Sequence, residues 1–125
     1  MNPLAAEWVA KAEADYAGAS GLQRRKRPLP DLVCFHCQQC AEKYLKAFLQ
    51  ESGIVFPKTH VLIDLVNLAS SKDATLASLV PNVQILEDYA VKFRYPGFDA
   101  TKAQAGIALE SLRRIRRTIR KSLGL

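Results

Sequence analysis

The sequence predicts an all-α fold, an up-and-down four-helix bundle with one additional short helix. Three features carry this prediction: apolar residues recur at helical spacing, no stretch alternates like a β-strand, and short Gly, Pro or polar connectors separate the helical segments. The chain has 125 residues, of which 49% are hydrophobic. This is enough material for one core, so we expect a single domain over residues 1–125.

The first predicted helix covers about residues 3–20 and ends near Gly18 or Gly21, because glycine often follows the last turn of a helix. Its apolar face consists of Leu4, Trp8, Val9, Ala12 and Tyr16. The basic segment RRKRPLP is then expected to form a loop.

The second predicted helix begins at Pro30 and runs to about Ser52 and Gly53. Asp31 is expected to be its N-cap, since a carboxylate can accept hydrogen bonds from the free N–H groups of a first turn. The apolar stripe of this helix consists of Val33, Cys37, Cys40, Ala41, Tyr44, Leu45, Phe48 and Leu49.

Two further helices follow a connector around Pro57. Thr59 is expected to cap a short third helix that ends at about Ala69, and residues 70–74 are expected to form a polar turn. A fourth helix is predicted over about residues 76–93, and Pro81 should kink it or make it restart. Its apolar residues are Leu79, Val83, Leu86, Tyr89, Ala90 and Phe93.

The fifth predicted helix covers about residues 100–123, with a capping box formed by Thr101 and Gln104. Its apolar stripe consists of Ile107, Ala108, Leu112, Ile115, Ile119 and Leu123. We expect the first helix to pack against the second and the last helix to close the core.

The three cysteines, Cys34, Cys37 and Cys40, raise the question of a metal site. The C-x2-C-x2-C spacing resembles part of an iron–sulfur motif, but the chain has no fourth cysteine. Along a helix the three thiols also rise by about 4.5 Å per step, so all three cannot readily enclose one ion. We therefore expect no metal and no cofactor, with the cysteines acting as small buried apolar groups.

Positive charge is concentrated in two segments. The net charge is +6, and the excess lies in residues 24–27 and in the helical run from Arg113 to Lys121. A helical row of arginines can bind phosphates bidentately, so Arg113, Arg117 and Arg120 are candidates for RNA contact. The alternatives are that these are ordinary solvated faces, or that the basic helix binds an acidic partner protein.

Several motifs resemble those of one family. The segment CFHCQQCAEKYLKAFLQESGIVFPKTHVLIDL resembles the second and third helices of HEPN domains (higher eukaryote and prokaryote nucleotide-binding), which read close to FHAQQAAEKALKALL, then a glycine, then T-H-x-L-x-x-L. The opening W-x-x-K-A-E-x-D is matched by residues 8–15, and Y-x-V-x-x-R-Y-P by residues 89–96. The resemblance extends over nearly the whole chain.

This resemblance implies a homodimeric helical bundle that forms a toxin–antitoxin pair with a nucleotidyltransferase. Many members resemble metal-independent ribonucleases that use an R-x4-6-H motif at a cleft between two subunits. Arg94 matches the arginine, but the histidine is missing, and Asp99 stands where it would lie. An aspartate is a weak base at neutral pH, so Asp99 is interpreted as a helix N-cap.

The candidate site residues follow from this motif and from basic chemistry. Arg94 can hold a phosphate and Tyr95 beside it can stack on a base. His36 is the candidate for the missing imidazole, because a neutral imidazole can take the 2′-hydroxyl proton during RNA cleavage. Lys43 is a further candidate phosphate contact, and His60 is expected to cap or pack.

The leading hypothesis is an HEPN-type nucleotide- or RNA-binding module with weak or lost ribonuclease activity. The alternative is a non-catalytic protein-interaction module whose basic C-terminal helix binds an acidic partner. No stretch reaches the roughly 18 apolar residues that span a bilayer, and the N-terminus does not resemble a secretory signal. We expect a cytoplasmic protein with no membrane contact.

Overall fold

Five α-helices and one 3-10 helix form the protein, and there is no β-strand. A computed structural model describes all 125 residues. The helices are α1 (Pro3–Gln23), α2 (Pro30–Glu51), α3 (Leu62–Lys72), α4 (Val80–Lys92) and α5 (Lys102–Ser122), and the 3-10 helix (Ala74–Leu79) precedes α4. The predicted all-α bundle of four long helices and a short one is confirmed.

Helix α2 is the centre of the bundle. It contacts each of the other four α-helices, most extensively α1 and then α5. All eight residues of its predicted apolar stripe are buried. The expected pairing of the first helix with the second, and the closing position of the last helix, are therefore confirmed.

The three cysteines are packed in this core. Cys34, Cys37 and Cys40 are free and at most 1% exposed. Burial raises the pKa of the Cys34 thiol to about 11 and raises the pKa of the other two thiols further. The thiolate form is therefore strongly disfavoured, and the interpretation of the cysteines as small apolar groups is confirmed.

Several predicted helix ends were wrong. Helix α1 continues through Gly18 and Gly21 to Gln23, because the packing of α1 against α2 offsets the roughly 1 kcal/mol that each helical glycine costs. Gly18 lies against the His36 ring, and a Cβ built at Gly18 would stand 3.8 Å from that ring. Thr59 does not cap α3, which begins at Leu62; its hydroxyl instead accepts from Val61 N–H at 3.1 Å.

The two aspartates expected as N-caps are not caps. Helix α2 is preceded by Leu29, and the Asp31 carboxylate accepts from Ala100 N–H at 2.8 Å. This bond joins the start of α2 to the segment before α5. Helix α5 is capped by Thr101, whose predicted capping box with Gln104 is confirmed, so Asp99 is left exposed outside the helix.

Other local features agree with the predictions only in part. Residues 70–72 continue α3 instead of forming a turn, whereas Pro81 lies in the first turn of α4, where the helix restarts as predicted. Leu4 and Ile107 are 47% and 48% exposed, so both were wrongly assigned to the core faces of their helices. None of the helices combines the length and the apolar character that a membrane span requires.

Helix α2 ends in a Schellman motif. Ile54 N–H donates to Leu49 C=O at 2.9 Å and Gly53 N–H donates to Gln50 C=O at 3.2 Å. Gly53 has a φ of 69°, in the left-handed region that residues with a Cβ rarely adopt. The glycine at this position therefore determines where the central helix stops.

Two glycine substitutions should act in opposite directions. Gly21 is helical, and a Cβ there meets no atom within 4 Å, so we expect Gly21→Ala to raise the free energy of unfolding by about 0.5–1 kcal/mol. Gly53→Ala, its matched control, should lower it by about 1 kcal/mol because of the positive φ. Urea unfolding measures both, and equal signs for the two variants would contradict the assigned backbone conformations.

Candidate nucleic-acid interface

Arg94 lies just beyond the end of α4. Lys92 is the last helical residue, and a turn follows in which Phe98 N–H donates to Tyr95 C=O at 3.4 Å. Gly97 at φ 90° permits this turn. The Arg94 side chain is exposed and forms no ion pair with any carboxylate of the chain. Its guanidinium is thus available for an anion.

Two pockets meet at Arg94. The first, called here the apolar pocket, has a volume of about 180 Å³ and is lined mainly by Leu32, Phe35, Tyr89 and Phe93. The second, called here the polar pocket, has a volume of about 300 Å³; its lining includes Gln38, Gln39, His60, Val61, Glu87 and Val91. Arg94 therefore borders both an apolar surface suited to an aromatic ring and a surface rich in hydrogen-bonding groups.

A buried carboxylate holds one wall of the polar pocket. Glu42 of α2 is only 3% exposed. One of its oxygens accepts from Lys46 Nζ at 3.1 Å and the other lies 2.9 Å from His60 Nδ1. Gln38 Nε2 donates to the backbone C=O of His60 at 3.1 Å. Two side chains of α2 thus fix both the ring and the backbone of His60.

The lining of the polar pocket also includes Glu87, a partly buried acid. Glu87 of α4 accepts from Leu62 N–H at 3.1 Å, so its carboxylate binds a free N–H group at the start of α3. Burial raises the pKa of Glu87. The carboxylate therefore contributes to joining α4 with α3 at the polar pocket.

His36 and Lys43 lie at a different interface from Arg94. His36 Nδ1 is 2.9 Å from Asp15 Oδ1, and Lys43 Nζ pairs with the other oxygen of the same carboxylate. Neither residue lines a pocket that Arg94 borders. The structure therefore joins these two residues to α1, and it places His60, the histidine expected only to cap or pack, in the lining of the polar pocket that Arg94 borders.

A second ionic network joins α1, α2 and α5. Glu13 accepts two hydrogen bonds from Arg116, at 2.6 and 2.7 Å, and one from the Tyr44 hydroxyl at 2.6 Å. Arg120 Nη1 in turn donates to the Tyr44 oxygen at 3.1 Å. The Arg116 guanidinium lowers the pKa of Glu13 to about 2, while burial is the main cause that raises the pKa of Tyr44 to about 12.

A broad groove, called here the basic groove, lies along α5 and has a volume of about 680 Å³. Arg113, Arg114 and Arg117 line it together with Asn82. Arg113 pairs with Glu110 at 2.6 Å and Arg114 donates to Asn82 at 2.9 Å, but Arg117 is exposed and has no acidic partner. Of the arginines that the sequence indicated as candidates for RNA contact, Arg113 and Arg117 thus both line the basic groove. Arg120 does not line it and instead donates to the Tyr44 oxygen.

Exposed apolar side chains surround Arg94. Leu32 and Phe35 of α2 are 45% and 46% exposed, and Val91 on α4 is 56% exposed. Tyr95 and Phe98, in the turn after Arg94, are 60% and 53% exposed. We call these five residues the apolar rim. Exposed apolar groups gathered in one region are typical of an interaction surface.

Sequence reasoning did not single out Glu42 or assign His60 a site role. The carboxylate and the imidazole are 18 residues apart and meet only because the connector after α2 folds back along that helix. The signal that could have linked Glu42 with His60 is that their motifs, AEK and T-H, lie in the same family-like segment. In the structure the two side chains are joined by a hydrogen bond.

The fold and the site define a helical-bundle protein whose candidate anion-binding group is an exposed arginine between two pockets. A family model described as HEPN domain matches residues 5–122. The chain belongs to the HEPN family, which the sequence motifs had indicated.

Comparisons with individual proteins agree with this assignment. The chain is 33% identical over 96 residues to "Putative toxin MJ1304" of Methanocaldococcus jannaschii, a match that spans 71% of this chain and 61% of that protein. Among solved structures it resembles ST0689, an archaeal HEPN homologue, with a TM-score of 0.75 and 23% identity over 94% of this chain and 96% of the other. It also resembles TT1696 from Thermus thermophilus, with a TM-score of 0.74 and 25% identity over 97% and 98% of the two chains.

The depressed pKa of Glu13 leads to a pH prediction. A carboxylate whose pKa is lower in the folded than in the unfolded state stabilises the fold when the pH is above its unfolded-state pKa. This contribution is lost as the pH falls through the folded-state pKa. The coupling free energy of Glu13 with Arg116 should therefore be fully present at pH 7 and should decline between about pH 4.5 and 2. Because the pair is partly solvated, we expect about 1–2 kcal/mol at pH 7.

A double-mutant cycle with Glu13→Gln and Arg116→Met, measured by urea unfolding at several pH values, isolates this coupling. A coupling that stays constant from pH 7 to pH 2.5 would contradict the assigned pairing.

Proposed function

We propose that this chain is an RNA-binding HEPN protein of the toxin type, with Arg94 as its central phosphate contact. The observation that carries the proposal is the position of Arg94, exposed, without an acidic partner and shared by two pockets of different character. Most cationic groups of α5, by contrast, already bind polar partners within the fold, as Arg113, Arg116 and Arg120 do.

The two pockets suit the two chemically different parts of a nucleotide. Tyr89 offers aromatic surface to a base in the apolar pocket, and the exposed Tyr95 ring offers more beside it. Arg94 would bind the phosphate, and the amide of Gln39 in the polar pocket can hydrogen-bond to a ribose. RNA is preferred to DNA here because such polar groups can contact a 2′-hydroxyl.

The basic groove supports contact with a longer strand. Arg113, Arg114 and Arg117 can follow successive phosphates, and Arg117 has no internal partner to give up. Arg120 would contribute through the long-range field, because its guanidinium is bound to Tyr44. Lys43 and His36 have no part in this proposed surface, since both bind Asp15.

We further propose that the working form is a homodimer joined through the apolar rim. Burial of Leu32, Phe35 and Val91 against a second copy would remove exposed apolar area from water and place two Arg94 sites beside one shared cleft. The family resemblance supports the same arrangement.

The partner implied by the resemblance is a nucleotidyltransferase, with which this chain would form a toxin–antitoxin pair. The toxin part of this proposal is supported by the name of the M. jannaschii relative. That protein is matched over 61% of its length only, so its remaining segment has no counterpart in the alignment.

Removing the Arg94 guanidinium should weaken RNA binding. We expect Arg94→Ala to reduce the affinity for a mixed single-stranded RNA about tenfold, the usual cost of a charge-assisted hydrogen-bonded contact. It should also reduce the slope of log affinity against log salt by about 1. Lys72→Ala is the control, because it removes the same charge from an exposed position that lines none of the described pockets.

Fluorescence anisotropy at several salt concentrations measures both quantities. If wild-type protein does not bind RNA at about 50 mM salt, where phosphate contacts are strongest, the RNA-binding function is wrong and binding to an acidic protein partner is favoured. Equal affinities for the two variants would show that Arg94 is not the contact.

A charge in the apolar rim should separate the dimer. We expect wild type to sediment at about twice the chain mass of 13.9 kDa and Phe35→Glu to sediment as a monomer, since a buried unpaired carboxylate opposes association. Val55→Glu is the control, because Val55 is 94% exposed and outside the rim. A monomeric wild type at tens of micromolar would contradict the proposed assembly.

A further inference from the structure

The environment of His60 gives its ring a defined orientation. The ring Nδ1 lies 2.9 Å from Glu42 Oε1, whose carboxylate is buried and also accepts from Lys46. A carboxylate in this position accepts hydrogen bonds, so in the neutral ring the proton lies on Nδ1. The other nitrogen, Nε2, then carries the lone pair.

The free nitrogen of His60 is accessible. The His60 side chain is 81% exposed although its partner Glu42 is 4% exposed, and His60 lines the polar pocket together with Arg94. A buried carboxylate that orients an exposed imidazole is the arrangement by which proteins prepare a general base. Here the third group is a permanent cation at the same pocket.

The other candidates for the missing base are elsewhere. His36 is bound to Asp15 at the α1–α2 interface, and Asp99 lines a different pocket with Leu29 and Ala100. The chain has only two histidines. His60 is therefore the one imidazole that this chain brings to a pocket bordered by Arg94.

We propose that His60 is the general base of metal-independent RNA cleavage in the polar pocket, with Glu42 as its positioning residue and Arg94 holding the phosphate. This rests on the RNA-binding function proposed above. The histidine that the R-x4-6-H motif lacks after Arg94 is thus replaced by one from the connector before α3.

The reaction balances without a co-reactant. His60 Nε2 takes the proton of a ribose 2′-hydroxyl as that oxygen attacks the adjacent phosphorus. The O2′–P bond forms and the P–O5′ bond breaks, which gives a 2′,3′-cyclic phosphate and a 5′-hydroxyl. The leaving 5′-oxygen takes its proton from the imidazolium, so the ring returns to its neutral form, while Arg94 stabilises the charge on the phosphorane.

The test compares RNA binding and RNA cleavage in the same preparations of the full chain, in the presence of EDTA. We expect wild type to cleave a mixed RNA and to bind, but not cleave, the same RNA with 2′-O-methyl riboses. His60→Ala should lower the cleavage rate constant at saturating RNA by at least about 100-fold, the usual contribution of a general base. Its RNA affinity should stay within about twofold of wild type, because the phosphate contact of Arg94 is retained.

Added imidazole distinguishes a chemical role from a structural one. Free imidazole can enter the space left in His60→Ala and take the proton, so cleavage should recover in proportion to its concentration. Glu42→Gln keeps an oxygen acceptor for Nδ1 but removes the charge, and we expect about a tenfold lower rate constant with unchanged affinity. Circular dichroism of each variant confirms that the helical content is retained.

The outcomes separate this proposal from the function on which it rests. Wild type that binds RNA and does not cleave it overturns the His60 proposal and leaves the RNA-binding function standing. Three further results overturn it as well. His60→Ala could cleave RNA at the wild-type rate, or imidazole could fail to restore the cleavage that His60→Ala has lost. Cleavage could also be lost in His36→Ala and retained in His60→Ala. Absence of RNA binding by wild type overturns the proposed function itself.

Discussion

The buried carboxylate of Glu42 is the constraint on which the candidate site depends. At 3% exposure a carboxylate without partners would be costly, so its two oxygens require donors from the fold. Lys46 supplies one from the next turn of α2, and His60 supplies the other from the connector that follows the helix. The hydrogen bonds that the buried Glu42 carboxylate requires therefore fix His60 at the polar pocket. In this way a buried group of α2 determines the geometry of the surface site.

The same physical rule divides the charged residues of the chain into two groups. Glu13, Asp15 and Glu42 all lie at helix interfaces, and each binds cationic groups from its own or a neighbouring helix. Arginines and lysines paired in this way stabilise the bundle and have little capacity left for a ligand. Arg94 and Arg117 form no ion pair, and each lines a surface pocket. The sequence shows every one of these charges, whereas the division depends on the packing.

Periodicity was sufficient to predict the helices because burial of one face decides their positions. The stripe of α2 was correct at every residue, and the restart at Pro81 and the capping box of α5 follow from local chemistry. Helix ends were less predictable because caps compete with distant partners. Asp31 illustrates this, since its carboxylate binds Ala100 N–H, 69 residues away, instead of the first turn of α2.

The site was predictable only in part, for the same reason. Arg94 was identified through a motif within one segment. The contact between Glu42 and His60 depends on how the connector folds back onto α2, which no local pattern encodes. The sequence favoured His36 as the imidazole base because polar and basic residues lie on the adjoining turns of its helix. In the structure, however, Asp15 of α1 binds its ring at another interface.

The most direct measurement is a crystal structure of the protein with an RNA dinucleotide that carries a 2′-O-methyl group at the scissile ribose. Our account predicts a phosphate oxygen within about 2.7–3.2 Å of the Arg94 guanidinium and the 2′-oxygen next to His60 Nε2, with Nδ1 still bound to Glu42. A dinucleotide bound away from Arg94, or a His60 ring turned so that Nε2 contacts Glu42, would contradict it.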